Sequence, residues 1–191
     1  EVLSGDWTNL TFPVYSLVGG KWTSFRAFGE QAADKALAHL GLKRKRDTRS
    51  LPIGGGRGYV RDAQEPNRQM GSLFAWTGVS QERLIHLFER YGTRAEAIAT
   101  YINGGTDFTL KSLSDYSFRE IAYLVQHEKI IHLDDFLLRR SMLAMLGRLT
   151  REMMLELTNT LGDILGWDGE QKKAEAARAL SILTDRHEVR L

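Results

Sequence analysis

The chain has 191 residues, enough for one domain with a substantial core, or for one domain and part of another. With 42% hydrophobic and 26% charged residues it has the composition of an ordinary soluble globular protein, and no apolar run approaches the roughly 20 residues that span a bilayer. The absence of cysteine excludes disulfides, thiolate metal sites and a cysteine nucleophile, and a formal net charge of +2 makes no case for nucleic acid.

The first residue is Glu, and "EVLSGDW" has neither the apolar core nor the cleavage pattern of a signal peptide, so a processed or truncated chain with sequence upstream is expected. Residues 1–18 read as extended, because Trp7, Leu10, Phe12, Val14, Tyr15, Leu17 and Val18 are aromatic, β-branched or aliphatic, while Pro13 limits pairing. Two short strands with open edges need a packed helix face or further strands. Val18 then gives way to Gly19 and Gly20, which permit a tight turn, followed by Lys21 and by Thr23 or Ser24 as cap of the next helix. Such a turn directs helix N-terminal amides and a lysine at one spot, an arrangement that favours negative charge. An ordinary compact strand-to-helix turn explains the same residues, and the pattern leaves both readings open.

From Ser24 to about Leu40 apolar residues recur at helical spacing (Phe25, Phe28, Ala32, Ala36, Leu37, Leu40), and Gly41 is a natural stop. Residues 42–79 hold most of the Gly and Pro punctuation and read as a connector with one short helix near Ser72 to Trp76. Within it, the basic run Lys43, Arg44, Lys45, Arg46 with Arg49 reads as a solvated stretch past a helix C-terminus, with a peripheral membrane contact as the alternative. "GGGRG" at 54–58 lacks the Lys-Ser/Thr of a phosphate loop and reads as a flexible connector.

Residues 80–191 carry frequent, well-capped helix signals. Ser80 opens "SQERLIHLFERYG"; Thr93 with Glu96 and Ser117 with Glu120 fit capping boxes; "LDDFLLRRSMLAML", "TREMMLELTNTLGDILG" and "GEQKKAEAARALSILTDRHEV" complete about six helices in a bundle. "HEKIIHLDDF" brings His127, Glu128, His132, Asp134 and Asp135 together, but the histidines stand five apart across Ile130 and Ile131, which read as a buried break. The zincin spacing is four, so capping and surface solvation are expected in place of a metal. Arg139 and Arg140 point about 100° apart on a helix, so at most one is expected to face inward, to an acid such as Asp135, Glu120 or Glu128.

"GGKWTSFRAFGEQAADKAL" resembles the last segment of the FAD-binding domain in FAD-dependent glycerol-3-phosphate dehydrogenases, matching at Gly19, Gly20, Lys21, Thr23, Phe25, Arg26 and Glu30, with Ser24 where the family more often has Thr. "LDDFLLRRSMLAML" is similar to the Asp-x-Leu-x-Arg-Arg signature in the helical C-terminal domain of those enzymes, at Asp135, Leu138, Arg139 and Arg140. The resemblance implies a mainly α fold. Residues 1–41 would be the C-terminal edge of an FAD-binding α/β domain, 42–79 a connector, and 80–191 a bundle of about six helices.

It further implies oxidation of sn-glycerol 3-phosphate to dihydroxyacetone phosphate, with FAD taking the hydride and quinone the electrons; a related oxidase would use oxygen. The G-x-G-x-x-G fingerprint is absent from these residues, so the missing N-terminal FAD and substrate domains are the first partner, and the fragment alone is expected to be inactive. By resemblance Gly19, Gly20, Lys21 and Thr23 face the flavin, Lys21 also belongs to the substrate pocket, Trp22 and Phe25 pack, and Arg26 neighbours the site. No catalytic residue is implied in the helical part, which is expected to cap the other domains and to contribute to a homodimer. The expected location is cytoplasmic, with peripheral contact at the inner face of the cell membrane. The chain has no EF-hand loop, which fits a bacterial-type enzyme. A non-catalytic helical docking or regulatory module is the alternative.

Overall fold

A computed structural model describes residues 2–5, 12–19, 21–59, 76–189 and 191. Trp7, Leu10, Gly20, the side chain of Trp22 and most of the short helix expected near 72–76 lie outside the described residues. The chain divides into two compact units, Glu1–Ile53 and Gly54–Leu191, and residues 42–53 go with the first.

In the first unit β1 (Val2–Gly5) and β2 (Val14–Leu17) pair antiparallel, Val2 opposite Leu17 and Gly5 opposite Val14. Pairing on β2 starts immediately after Pro13, which has no N–H to give to a ladder. A 3-10 turn (Trp22–Ser24) leads into α1 (Phe25–His39), and the backbone N–H groups of Leu40 and Gly41 close the helix on Ala36 and Ala38. The apolar stripe expected on α1 exists only in part: Phe28, Ala32 and Leu37 are half-buried, whereas Phe25, Ala36 and Leu40 are exposed. Polar contacts hold the next segment to α1. Arg26, Glu30 and Asp34, four residues apart on one face, grip residues 44–51: Arg26 donates to the carbonyls of Thr48 and Leu51, Glu30 accepts from the Thr48 N–H and hydroxyl, and Asp34 accepts from Arg44 at 2.9 Å. Within the basic run Arg44 is therefore paired internally, bridging Glu30 and Asp34.

The second unit is helical: α2 (Gln81–Tyr91), a 3-10 turn (Gly92–Arg94), α3 (Ala95–Asn103), α4 (Phe118–His127), α5 (Leu133–Asp135, running on as a π-helical turn over Phe136–Arg140), α6 (Arg151–Leu165) and α7 (Gly169–His187). Two apolar cores form. Leu84, Leu87 and Phe88 of α2 meet Ile98, Ala99 and Ile102 of α3, and Ile121 and Leu124 of α4 join Phe136, Leu137, Leu157, Leu161 and Leu183.

The helix ends correct several expectations. Ser80 and Ser117 cap α2 and α4, accepting from the N–H groups of Arg83 and Glu120. The Ser117 box is only half formed, because the Glu120 side chain turns inward to arginines. Thr93 is not a cap: α3 begins at Ala95, and the Thr93 hydroxyl donates to the carbonyls of Gly55 and Arg57. A complete capping box instead opens α7, where Asp168 accepts from Gln171 N–H at 2.8 Å and Gln171 accepts from Asp168 N–H at 2.9 Å. The segment "LDDFLLRRSMLAML" stops as helix at Arg140. Ser141 is extended, and residues 142–147 form turns in which the N–H of Gly147 (φ +62°) bonds Ala144.

"GGGRG" is a built crossing and not a flexible connector. Gly55 (φ +59°) and Gly92 (φ +56°) meet backbone to backbone: a Cβ on Gly55 would lie 2.0 Å from the Tyr91 carbonyl oxygen, and one on Gly92 2.5 Å from that of Gly55. The Gly55 carbonyl accepts the Thr93 N–H at 3.0 Å, so the loop fastens the end of α2. Tyr59 stacks on Phe88 next to it.

Candidate functional site

At the strand-to-helix turn, β2 ends at Leu17 and Gly19 adopts φ +89°, a conformation open to glycine at little cost. Among the described residues other than its chain neighbours, no atom stands within 4 Å of where a Gly19 Cβ would sit, so conformation and not crowding by them favours glycine there. Lys21 is extended and exposed, and Thr23 is exposed. The expected side-chain cap of α1 does not form. Ser24 occupies the N-cap position, but its hydroxyl folds back, donating to the Lys21 carbonyl at 3.1 Å and accepting from the Lys21 N–H at 3.3 Å. The first turn of α1 contains no acid. A helix start with no side-chain cap and no acid in its first turn, with an exposed lysine beside it, favours an anion. Arg26 is drawn away from this spot by its two carbonyl acceptors.

The other sequence candidates fall into separate networks of the second unit. His127 bonds the Tyr123 carbonyl through Nδ1 at 2.9 Å and stacks on the Tyr123 ring, whereas His132 Nδ1 meets Glu175 at 2.8 Å, so the two rings serve different partners. Ile130 is buried but Ile131 is 62% exposed, which corrects the expected buried break. Asp135 accepts the N–H groups of Ile131 and His132 and pairs with Arg139; burial pushes its carboxyl up, but these bonds outweigh it and leave the pKa below the usual carboxylate range. Asp134 is buried between Arg139 and Arg178 of α7. Arg140 instead donates to the Glu128 carbonyl at 2.8 Å, and Arg94 pairs with the Glu128 carboxylate at 2.6 Å. The Asp-Asp and Arg-Arg pairs thus tie α5 to α7 and to the end of α4.

Glu120 partners neither member of that arginine pair. It is fully buried, and Arg83, Arg90 at 2.7 Å and the Tyr91 hydroxyl at 2.7 Å, all on α2, converge on it. Burial together with the Glu120 charge drives the Tyr91 phenol far above its ordinary pKa, so it stays a donor. Burial likewise lifts Tyr116 to about 12, although Arg90, 3.7 Å above its ring, opposes the shift. Sequence reasoning missed this arrangement; Arg83, Arg90 and Tyr91 at helical spacing on α2 were the available signal. Among the described residues no group of three or more His, Asp or Glu could hold a metal ion, and no helix is long and apolar enough to cross a membrane.

A family profile described as the C-terminal domain of alpha-glycerophosphate oxidase matches residues 46–172. A probable glycerol-3-phosphate dehydrogenase of Encephalitozoon cuniculi is 28% identical over 173 residues, covering 88% of this chain and 27% of that protein. A glycerol-3-phosphate dehydrogenase of Pseudomonas aeruginosa is 27% identical over 133 residues (70% of this chain, 25% of that one), and an alpha-glycerophosphate oxidase of Lactococcus lactis is 26% identical over 171 residues (86% and 28%). The chain spans about a quarter of the length of these curated relatives.

Proposed function

The chain belongs to the family of the C-terminal domain of alpha-glycerophosphate oxidase, and from that premise we propose that it is the C-terminal portion of an FAD-dependent enzyme oxidising sn-glycerol 3-phosphate to dihydroxyacetone phosphate. Bound FAD supplies the hydride acceptor for that oxidation. The observation that carries the reading is the turn from Gly19 to Ser24: a left-handed glycine uncrowded by the described residues beyond its chain neighbours, an exposed Lys21, and an α1 N-terminus with neither side-chain cap nor acid in its first turn. These residues fit the edge of a flat ligand on which negative charge develops.

In this reading Gly19 and Gly20 allow the backbone to lie against the cofactor, and the Thr23 hydroxyl and the first amides of α1 face it. Those amides stabilise negative charge without reorganising, because the helix holds them fixed. The Lys21 ammonium attracts the substrate phosphate and steadies charge on the oxidised product. The remaining domains of the parent chain are the first partner, a reading supported by the first unit, in which no described side chain is fully buried. The isolated chain is then inactive, since the rest of the substrate pocket lies elsewhere. Quinone as acceptor, a homodimer, and a cytoplasmic site with peripheral membrane contact complete the proposal.

The test is Lys21→Ala in the full-length enzyme. Loss of one charge-assisted phosphate contact predicts a fall in kcat/KM of about tenfold to a hundredfold, with folding unchanged. Unchanged kinetics and unchanged flavin content would overturn the assignment and favour a docking or regulatory module. The Lactococcus lactis relative supports a second reading, oxygen as acceptor. Peroxide release during turnover distinguishes it from quinone reduction.

A further inference from the structure

We propose that the second unit carries an organic-anion site of its own, separate from the turn at Lys21. A cleft of about 640 Å³ lies between the end of α2, the Gly54–Gly55 crossing and the π-helical end of α5. Its volume is in the range of small-molecule sites. Tyr59, Phe88 and Tyr116 give it an aromatic lining, and Arg90, Arg94, Arg139 and Arg140 stand around it.

The layering of charge points to an anion. Arg94 keeps 52% of its side chain exposed while its partner Glu128 keeps 26%, and Arg139, 58% exposed, is answered by the more buried Asp134 and Asp135. Pairing is also uneven on one wall. Among the described residues Arg94 and Arg140 share the single carboxylate of Glu128, which leaves one positive charge on that wall. Glu89 is the exposed acid of the lining and works against an anion.

The local backbone serves this presentation. The π turn over Phe136–Arg140 brings Arg139 and Arg140 to the rim together, and π turns recur at functional sites. On the opposite side, the contact of Gly55 with Gly92 sets the cleft wall by backbone alone. The ligand class is a small planar or apolar body bearing a phosphate or carboxylate, the body against the tyrosines and the anion among Arg94, Arg139 and Arg140.

Adenosine 5′-monophosphate is the probe, titrated into the 191-residue chain with amide chemical shifts as readout; inorganic phosphate and adenosine are the controls. Saturable shifts are expected at Gly55, Gly92, Arg140 and Ser141, with either control binding at least about tenfold more weakly. Arg140→Gln should weaken the nucleotide about fivefold or more, and the exposed Glu89→Gln should tighten it about twofold, both effects shrinking in high salt. No saturation, saturable shifts confined to other surfaces, or an affinity unmoved in Glu89→Gln with native unfolding behaviour would each overturn the site. Because Lys21 takes no part, Lys21→Ala should leave this binding unchanged, which separates its failure from failure of the flavin assignment.

Discussion

Replacing Glu120 with alanine removes the acceptor shared by Arg83, Arg90 and the Tyr91 hydroxyl. The three donors do not lose equally. Arg90 keeps Asp115 at 3.0 Å, and Tyr91 loses a single hydrogen bond. Arg83 has only 10% of its side chain exposed, and its Nη1 already has no hydrogen-bond partner among the described residues. Stranding a buried cation costs about 3–5 kcal/mol, so Arg83 dominates, and the total is expected near 4 kcal/mol. For a unit the size of Gly54–Leu191 that corresponds to a fall in melting temperature of roughly 15 °C. Glu120→Gln, which keeps one acceptor oxygen, should lose about half as much. Circular dichroism at 222 nm during thermal and urea unfolding measures both. In a double-mutant cycle, Glu120→Ala with Arg83→Ala should show coupling of about 2 kcal/mol, because the second deletion removes the stranded charge. Additive effects, or a Glu120→Ala variant within about 1 kcal/mol of the parent, would refute the reasoning.

Gly92→Ala and Gly55→Ala should each destabilise by about 3 kcal/mol in the same urea assay, since both combine positive φ with a clash against unyielding backbone; Gly147→Ala, with positive φ in open space, should lose only about 1 kcal/mol. Acid should unfold the chain through its depressed carboxylates. At Glu156 burial raises the pKa, but hydrogen bonds from the Ser112 hydroxyl and N–H and the Lys111 N–H outweigh it and leave it low. A lowered folded pKa contributes stability that is fully present above the ordinary carboxylate range near pH ~4 and is lost as pH falls through the folded value. Glu156→Gln should therefore be less stable than the parent at neutral pH by about 1–2 kcal/mol and converge with it in acid; a constant gap at all pH values would contradict the assignment.

Much of the helical unit follows from local sequence. Ser80, Ser117 and Thr150 cap helices because a short hydroxyl side chain satisfies amide donors that any helix start leaves open, whatever the tertiary context. The spacing of Leu84, Leu87 and Phe88 likewise determines which face of α2 is apolar. Tertiary structure alone decided where polar side chains between such stripes were sent. Glu120 satisfies a capping-box pattern, yet three donors on α2 hold it more strongly than one backbone N–H could, so it turns to the core. Thr93 and Gly55 of "GGGRG", 38 positions apart, became one contact because only chain crossing brings the Gly55 and Gly92 backbones together. The positive φ of Gly19 agrees with the turn signal of the glycine pair, because backbone conformation in a tight turn is a local property. The buried charge at Glu120 was not legible, since its energy depends on groups 29 to 37 positions away that periodicity does not pair.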